Sequence, residues 1–342
     1  MIDQFKRRTL NRVINQAMPV HMALVRFFFK PRNTYKTRTI QFDFVKGTNV
    51  LAPLVSPKLR AKNLERGKWI TRTVVAPYIK TGAFISAQNL QDRNPGQDVY
   101  DQNVPSGAQY ARQEILKEQM NIIDMIERRT EVMVHEILTT VGDVTFTGEG
   151  ESITVNYGMQ ASHKVALTLT DKWSDTTNSD PIADLVTWSQ RVSDDGGIAP
   201  NRCIMSAEAA KLYKAHPKVQ AILDNRRIFQ GEIRFQDLPD SLQYIGREEE
   251  SGLDLFKYTG QYTNDSGTVT KVMTANELII GYEGVQTEIA YGAIEDLAAP
   301  VRAKWFFKAK EEFDPSGHQL LGQSSPLPMV YNADNFLSAI VN

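Results

Sequence analysis

The sequence predicts an α+β protein: a basic N-terminal arm, a polar β-hairpin, one very long helix, a mixed α/β block and a β-rich tail. Three observations support this prediction. Charge is divided unevenly along the chain, one helical pattern runs for about 35 residues, and strand-like runs dominate after residue 240. At roughly 100–200 residues per domain, 342 residues predict two or three packed units.

Composition excludes several classes of protein. Hydrophobic residues make up 42% of the chain and charged residues 23%, which argues against a disordered or fibrous chain. No run approaches the roughly 18 apolar residues of a membrane span, and polar side chains interrupt the place where a signal peptide carries its apolar core. The single cysteine excludes a disulfide framework and a multi-cysteine zinc site, and it suits a reducing cytoplasm.

The net charge of −1 conceals a division between two parts of the chain. Residues 1–72 carry sixteen Lys or Arg side chains and three acids, a net of +13, whereas the other 270 residues carry 23 bases and 37 acids, a net of −14. This asymmetry indicates a nucleic-acid or membrane partner, or a basic arm that docks on the acidic body of an identical neighbour. We favour the identical neighbour, with a merely solvated arm as the plainer alternative.

The N-terminal part reads as an arm followed by a hairpin. Residues 1–18 predict a short amphipathic helix, and the aromatic run Phe27-Phe28-Phe29 leads into a β-branched stretch. Three adjacent aromatic side chains cannot all face one core, so either some contact another surface or the run is a strand buried on both faces. Further on, residues 58–65 and 68–79 predict two hairpin arms with a turn at Arg66-Gly67. A hairpin with so many polar residues has little core of its own. We therefore expect it to pack either on a partner or on its own domain.

A long helix is predicted over residues 106–141. Ser106 and Gln109 form a capping box at its start, and Gly142 closes it. Apolar residues recur mostly at spacings of three, four or seven and form one stripe: Ile115, Ile122, Ile126, Met133, Ile137 and Val141. A helix of this length spans roughly 50 Å, which implies an elongated subunit.

The rest of the chain alternates helices and strands. A hairpin is predicted from Val144 to Tyr157, and Asp180-Pro181 predicts the start of a helix that Gly196-Gly197 ends. Ser206 predicts the cap of a further helix that runs to His216. Strands are predicted at 202–205, 242–245, 253–258, 269–273, 278–282 and 287–290, and the tail from 301 to 342 is strand-like between proline breaks.

Motifs of catalysis are absent from the sequence. It has no phosphate-binding loop, no dinucleotide-binding glycine pattern and no nucleophile elbow. Glu131 and His135 share a helical face, but two ligands do not make a zinc site, so we interpret them as a solvated pair. We interpret Cys203 as a small core residue and residues 248–250 as a solvated acidic turn. No catalytic, cofactor-binding or metal-binding residue is predicted, and no cofactor.

Six short motifs occur in a fixed order between about residue 24 and residue 340. They are Phe27-Phe28-Phe29 before a basic stretch, Leu54-Val55-Ser56-Pro57, Asp224-Asn225-Arg226-Arg227, Gly260-Gln261-Tyr262, Gln323-Ser324-Ser325-Pro326-Leu327 and Asp334-Asn335-Phe336. In this order they resemble the major capsid proteins of tailed bacteriophages with the Hong Kong 97 capsid fold, and most of all the lambda-type head proteins. The glycine-rich hairpin tip of that family is reduced here to Gly67.

The resemblance implies a division of the chain. The N-terminal arm would be residues 1–40 and the extended hairpin loop residues 41–80. The peripheral domain would be residues 81–175 and 288–342 with a spine helix at 106–141, and the axial domain residues 176–287.

The resemblance also implies a function as a structural, non-enzymatic capsid protein of a tailed phage or prophage. Copies would form pentamers and hexamers of an icosahedral head shell around double-stranded DNA, assembled in the cytoplasm of the bacterial host and found in the virion. Its implied partners are itself, a decoration protein, a scaffold, the portal and packaged DNA through non-specific contact at the inner surface, without a membrane.

We predict contacts between subunits at the aromatic run and along the hairpin, because the basic segment needs an acidic surface and a neighbour's body offers one. The candidate residues are Phe27, Phe28, Phe29, Lys58, Arg60, Lys62, Arg66, Lys68 and Arg72. Other interpretations remain open: another virion structural protein, a nucleic-acid-binding protein that uses the basic arm on phosphates, or a hydrolase or transferase with an unrecognised site in residues 176–287.

Overall fold

The computed structural model describes residues 22–30, 32–45, 69–86, 107–148, 150–221, 236–238, 241–264, 266–284, 287–296, 302–314 and 316–342. The helices in these ranges include α1 (Ala23–Phe28), α2 (Gly107–Thr139), α3 (Pro181–Gly196) and α4 (Ala207–Ala215). The strands before α3 are β1 (Arg32–Thr34), β2 (Thr39–Val45), β3 (Trp69–Val75), β4 (Ile79–Ser86), β5 (Asp143–Gly148), β6 (Glu151–Asn156) and β7 (Lys164–Ala166).

The strands after α3 continue the numbering. They are β8 (Arg202–Ser206), β9 (Gln236–Leu238), β10 (Leu242–Arg247), β11 (Asp254–Tyr258), β12 (Gln261–Thr263), β13 (Val269–Lys271), β14 (Glu277–Gly281), β15 (Thr287–Tyr291), β16 (Phe306–Glu312), β17 (Gly317–Ser324), β18 (Pro326–Val330) and β19 (Phe336–Ile340). The predicted α+β class is confirmed.

A seven-stranded mixed sheet forms the largest layer, in the order β7-β19-β14-β8-β11-β10-β9. Its central strands β8 and β14 are rich in apolar residues and almost fully buried, as strands covered on both faces are. The sheet reaches beyond the predicted axial range of 176–287, because the tail strand β19 returns to pair with β14 and brings β7 beside it. The division of the chain into domains stays a prediction.

Local capping signals determine where α3 and α4 begin and where α3 ends. The Asp180 carboxylate accepts hydrogen bonds from the N–H groups of Ile182 and Ala183, both at 3.2 Å, and the Ser206 hydroxyl accepts one from Ala209 at 3.3 Å. Gly197 ends α3 at φ +76°, a left-handed conformation that glycine adopts without steric cost. These two predicted helices are confirmed, and so is the hairpin that β5 and β6 form.

The long helix α2 contributes to two separate cores. Towards its start, Ile115 and Ile122 pack with residues of a three-stranded sheet in the order β16-β17-β4. Towards its end, Met133 and Ile137 pack into a larger core shared with α1 and the inner strands. The predicted apolar stripe is therefore confirmed from Ile115 to Ile137. Across the described ranges, every helix lacks either the length or the apolar character that crossing a bilayer requires.

The contact between α2 and the three-stranded sheet depends on a glycine. A Cβ atom on Gly322 of β17 would lie 2.4 Å from Cγ2 of Ile122 and 3.1 Å from Cε1 of Phe307. Because a branched Ile methyl cannot swing away freely, we expect Gly322→Ala to lower the free energy of unfolding by about 1–3 kcal/mol. Urea unfolding measures this change. Gly148→Ala is the matched control, since nothing lies within 4 Å of a Cβ there, and equal effects of the two variants would contradict the prediction.

Candidate functional site

The short helix α1 is attached to the long helix α2 by one carboxylate. The Oε1 atom of Glu131 accepts a hydrogen bond from the N–H of Leu24 at 2.8 Å, and its Oε2 atom accepts one from the N–H of Val25 at 3.0 Å. The residue before α1, Met22, gives no side-chain cap. Glu131 therefore satisfies two N–H groups that the start of any helix leaves without an intrahelical acceptor.

The predicted solvated pair of Glu131 and His135 is wrong. Glu131 is 0% exposed, and Nε2 of His135 lies 2.8 Å from Oε2 of Glu277 on β14 instead. Helical spacing shows that two residues share a face, but it does not show that α1 and β14 cover that face. Two buried acids near His135 thus join the long helix to its neighbours, Glu131 to α1 and Glu277 to the large sheet.

The surroundings shift the pKa values of Glu131 and Glu277 in opposite directions. Burial raises the pKa of Glu131 to about 7, although the N–H groups of Leu24 and Val25 favour its charged form. Burial acts on Glu277 in the same sense, but hydrogen bonds from His135 and Thr274 outweigh it and lower the pKa of Glu277 below its usual value. Glu131 is therefore an acid that changes charge near neutral pH.

The far end of α1 is held by an arginine of the large sheet. The Arg202 guanidinium lies over the Phe27 ring at 5.6 Å and over the Phe256 ring at 5.3 Å. It also donates to Asp254 at 2.5 Å and to Glu283 at 2.5 and 2.8 Å, and Lys30 pairs with Glu283 as well. Cations over aromatic faces add to the ion pairs, so Phe27 is packed against its own subunit.

Strand β1 continues this attachment. It pairs in parallel with β15, and Arg32 donates to the Glu127 carboxylate of α2 at 2.8 and 3.3 Å. Tyr35 donates to Glu288 of β15 at 2.6 Å. Together, the described residues from Met22 to Tyr35 contact the long helix as well as the sheets that contain β8 and β15.

The aromatic run Phe27-Phe28-Phe29 is not the predicted strand. Phe27 and Phe28 lie in α1, and Phe28 and Phe29 are each 1% exposed. The Phe28 ring meets the Phe336 ring edge to face at 5.2 Å. The Phe27 ring packs against Arg202 and Phe256, whereas Phe28 at the end of α1 and Phe29 directly after it enter the large core. The role of Phe28 and Phe29 in the subunit is core packing.

The structure shows one partner of the second predicted hairpin arm. Residues 69–75 pair antiparallel with residues 39–45, with Arg72 opposite Phe42, whereas the first predicted arm, residues 58–65, lies outside the described residues. The turn signal at Arg66-Gly67 is local, whereas this register joins segments about 30 residues apart and buries Ile40, Phe42 and Val74 in the large core. Arg72 is half-buried in β3. The other predicted contact residues, Lys58, Arg60, Lys62, Arg66 and Lys68, lie outside the described residues, as do Ser106 and the motifs at 54–57 and 224–227.

Among the described residues, the groups that could carry chemistry are dispersed or buried. Cys203 is fully buried, and burial raises the pKa of its thiol, as expected for a core residue. The acidic turn is solvated at Glu249 and Glu250 but not at Glu248, whose buried carboxylate accepts from Ser251 and Glu250. Within the described ranges, no three His, Cys, Asp or Glu side chains gather as metal ligands.

Comparisons with known proteins agree with this architecture. The family described as phage major capsid protein E matches residues 6–341. None of the curated proteins matches the chain. A solved structure described as a capsid protein of a prophage of E. coli CFT073 is 20% identical, with a TM-score of 0.74 over 98% of this chain and 99% of that one.

Two more distant structures share the fold. A phage-related protein from Bordetella bronchiseptica RB50 is 13% identical, with a TM-score of 0.53 over 97% of this chain and 96% of that one. The capsid of cyanophage P-SCSP1u is 10% identical, with a TM-score of 0.53 over 95% of this chain and 89% of that chain. The fold expected from the sequence resemblance is confirmed.

Proposed function

The chain belongs to the phage major capsid protein E family, and from this premise we propose that copies of it form pentamers and hexamers of an icosahedral head shell. It is a structural capsid protein of a phage or prophage and so a component of the virion. In our proposal the hairpin of one subunit lies on the acidic body of the next, and the shell encloses double-stranded DNA. We propose a non-catalytic role.

The β2–β3 pair, which we call the hairpin base, supports this arrangement. One face of the β2–β3 pair is buried through Ile40, Phe42 and Val74, while Gln41 and Thr73 on the other face are exposed. A two-stranded sheet has too little core to be stable by itself. The base therefore depends on its own subunit, and a more distant part of the hairpin that lies on a neighbour would gain the same support.

The distribution of charge indicates which two surfaces meet in this contact. Residues 1–72 carry a net charge of +13, and the rest of the chain carries −14. Opposite charges of this size guide docking and select its register. In such a contact the basic segment of one subunit meets a different surface of the next, so the contact is head to tail. Head-to-tail contacts close into rings when the rotation between successive subunits allows it.

The proposal extends to the division of the chain, its location and its partners. Residues 1–40 would be the arm, 41–80 the extended loop, 81–175 with 288–342 the peripheral domain, and 176–287 the axial domain. Assembly would take place in the cytoplasm of the bacterial host. Partners would be other copies, a decoration protein, a scaffold, the portal and, through non-specific contact, packaged DNA.

Negative-stain electron microscopy of the purified protein at high concentration tests the proposal. We expect rings of five or six subunits, tubes or closed shells. The triple reversal Arg60→Glu, Arg66→Glu and Arg72→Glu should then reduce the yield of these assemblies strongly, because it replaces attraction by repulsion at the neighbour's acids. The control is a second triple variant with Lys164→Glu, Lys211→Glu and Arg112→Glu. It changes the net charge by the same amount as the hairpin variant, but at exposed residues elsewhere in the chain.

Two results would contradict parts of the proposal. An unchanged yield in the hairpin variant would show that the hairpin bases do not contact neighbouring acids. A field of small single particles from the wild-type protein would show that the arm and the hairpin do not drive assembly by themselves and that the proposed scaffold is required. Binding to DNA that weakens steeply with salt, without assemblies, would favour the nucleic-acid alternative.

A further inference from the structure

The three-stranded sheet β16-β17-β4 carries opposite charges at its two ends. At one end, the turn between β16 and β17 presents Glu311, Glu312, Phe313 and Asp314, which we call the acidic tip. At the other end, Arg38, Tyr78 and Lys80 gather around the start of β4, and we call them the basic patch. Glu311, Phe313 and Lys80 are exposed, whereas Arg38 and Tyr78 also form hydrogen bonds within the subunit, to Ala76 and Gln323.

The acidic tip exposes an aromatic ring to solvent, and the strands that carry the tip are paired up to it. Phe313 is 97% exposed, and Glu311 and Asp314 beside it are exposed too. Strand β16 pairs with β17 up to Glu312–Gly317, and β17 pairs onward with β4. Lys310 forms an ion pair with Glu312 at 3.1 Å, and His318 stands opposite Glu311 in the register, so the tip keeps a net negative charge.

The basic patch is built around one tyrosine ring. The Arg38 guanidinium lies 5.4 Å and the Lys80 ammonium 5.1 Å from the centroid of the Tyr78 ring. The Tyr78 hydroxyl donates to Oε1 of Gln323 at 2.8 Å, which fixes the ring at the end of β17. Glu295 lies close enough to raise the pKa of Tyr78 further, after burial has raised it. In the part of the chain that the structure describes, Lys80 has no ion-pair partner.

The two features cannot meet within one subunit. The register places Gly317 opposite Ser86 at the tip end and Gln323 opposite Lys80 at the patch end. At roughly 3.3 Å per residue the ends of this ladder lie about 20–25 Å apart. Only another molecule can bring an acidic tip to a basic patch.

We propose that the sheet β16-β17-β4 docks head to tail on a second copy of this chain, with the acidic tip of one subunit on the basic patch of the next. Phe313 contacts the patch beside Tyr78, where Arg38 and Lys80 can lie against its ring, and Glu311 pairs with Lys80. The contact rests on the proposed function, and it adds to the hairpin contact a second one of the same head-to-tail kind.

A charge-exchange experiment tests this docking. Sedimentation velocity measures the assembled fraction of the full-length protein over a range of concentrations. We expect Glu311→Lys, Lys80→Glu and Phe313→Ser each to raise the concentration needed for half assembly about tenfold, because each contact is lost at every interface. The double variant Glu311→Lys with Lys80→Glu should return to within about threefold of the wild type, since the charges are exchanged rather than removed.

Controls separate docking from folding. Leu169→Ser removes another exposed apolar side chain, and Lys211→Glu reverses another exposed charge, so both should assemble as the wild type does. Unfolding midpoints of all variants should match, because the changed side chains are exposed. If the wild type assembles and the tip and patch variants assemble at the same concentration, the docking alone is overturned. The docking is also overturned if the double variant does not return towards the wild-type concentration for half assembly. A wild-type protein that stays monomeric at every concentration would overturn the docking, because the tip and the patch of two copies would not associate, but it would not contradict shell formation with the proposed scaffold.

Discussion

Replacing Glu131 by alanine should lower the free energy of unfolding of the subunit by about 2–5 kcal/mol. The reason is that the change leaves the N–H groups of Leu24 and Val25 without acceptors in a buried place, and it opens a cavity between α1 and α2. Urea unfolding followed by circular dichroism measures the loss. Glu118→Ala, a change at a half-buried glutamate of the same helix, is the matched control. A Glu131→Ala variant as stable as this control would contradict the role of the carboxylate.

The same residue should make stability depend on pH. The pKa of Glu131 is about 7 in the folded chain, above its usual value of 4.5, so the folded state holds this proton more tightly than the unfolded state. The resulting stabilisation is fully present below about pH 4.5 and is lost as pH rises through about 7. Glu131→Gln cannot lose a proton, so the stability difference between wild type and this variant should change between pH 4.5 and pH 8. Parallel pH profiles for the two proteins would contradict the shift.

The second large effect is expected at Phe28. Phe28→Ala should cost about 3–5 kcal/mol, because the ring is 1% exposed and packs edge to face on Phe336. Phe27→Ala should cost less, since Phe27 is half-buried, but it removes a ring that packs against both Arg202 and Phe256. Thermal unfolding of the unassembled subunit, monitored by circular dichroism, measures both losses.

This comparison also decides between two roles for the aromatic run. If Phe28 packs the subunit core, the isolated subunit loses stability before any effect on assembly is considered. If it contacts a neighbour instead, the Phe28→Ala subunit keeps its unfolding midpoint and loses only the ability to assemble. Leu169→Ala, at a position 86% exposed, shows how little an apolar truncation costs outside a core.

Local signals in the sequence predicted many elements well. Asp180, Ser206 and Gly197 act through hydrogen bonds or dihedral angles within a few residues, so the starts of α3 and α4 and the end of α3 could be read directly from the chain. The alternation and β-branching of the later strands predicted β10, β11 and β14 for the same reason. The order of short motifs was enough to indicate the capsid family.

Contacts across the chain were not predictable in this way. Glu131 lies more than 100 residues from Leu24 and Val25, and nothing near Glu131 in sequence shows that α1 covers it. The same holds for residues 69–75, because no signal near them in the sequence indicates that they pair with residues 39–45. In both cases the burial of apolar side chains selected the contact.

The sequence by itself therefore determined most of the helices and strands, the uneven charge and the family, because periodicity, capping and motif order are written within short stretches of chain. Only the tertiary structure decided that Glu131 is buried and that the aromatic run packs the core. It also decided that the basic patch and the acidic tip lie at opposite ends of one sheet. Burial and charge separation depend on which distant segments cover a side chain, and that is a property of the whole packed molecule.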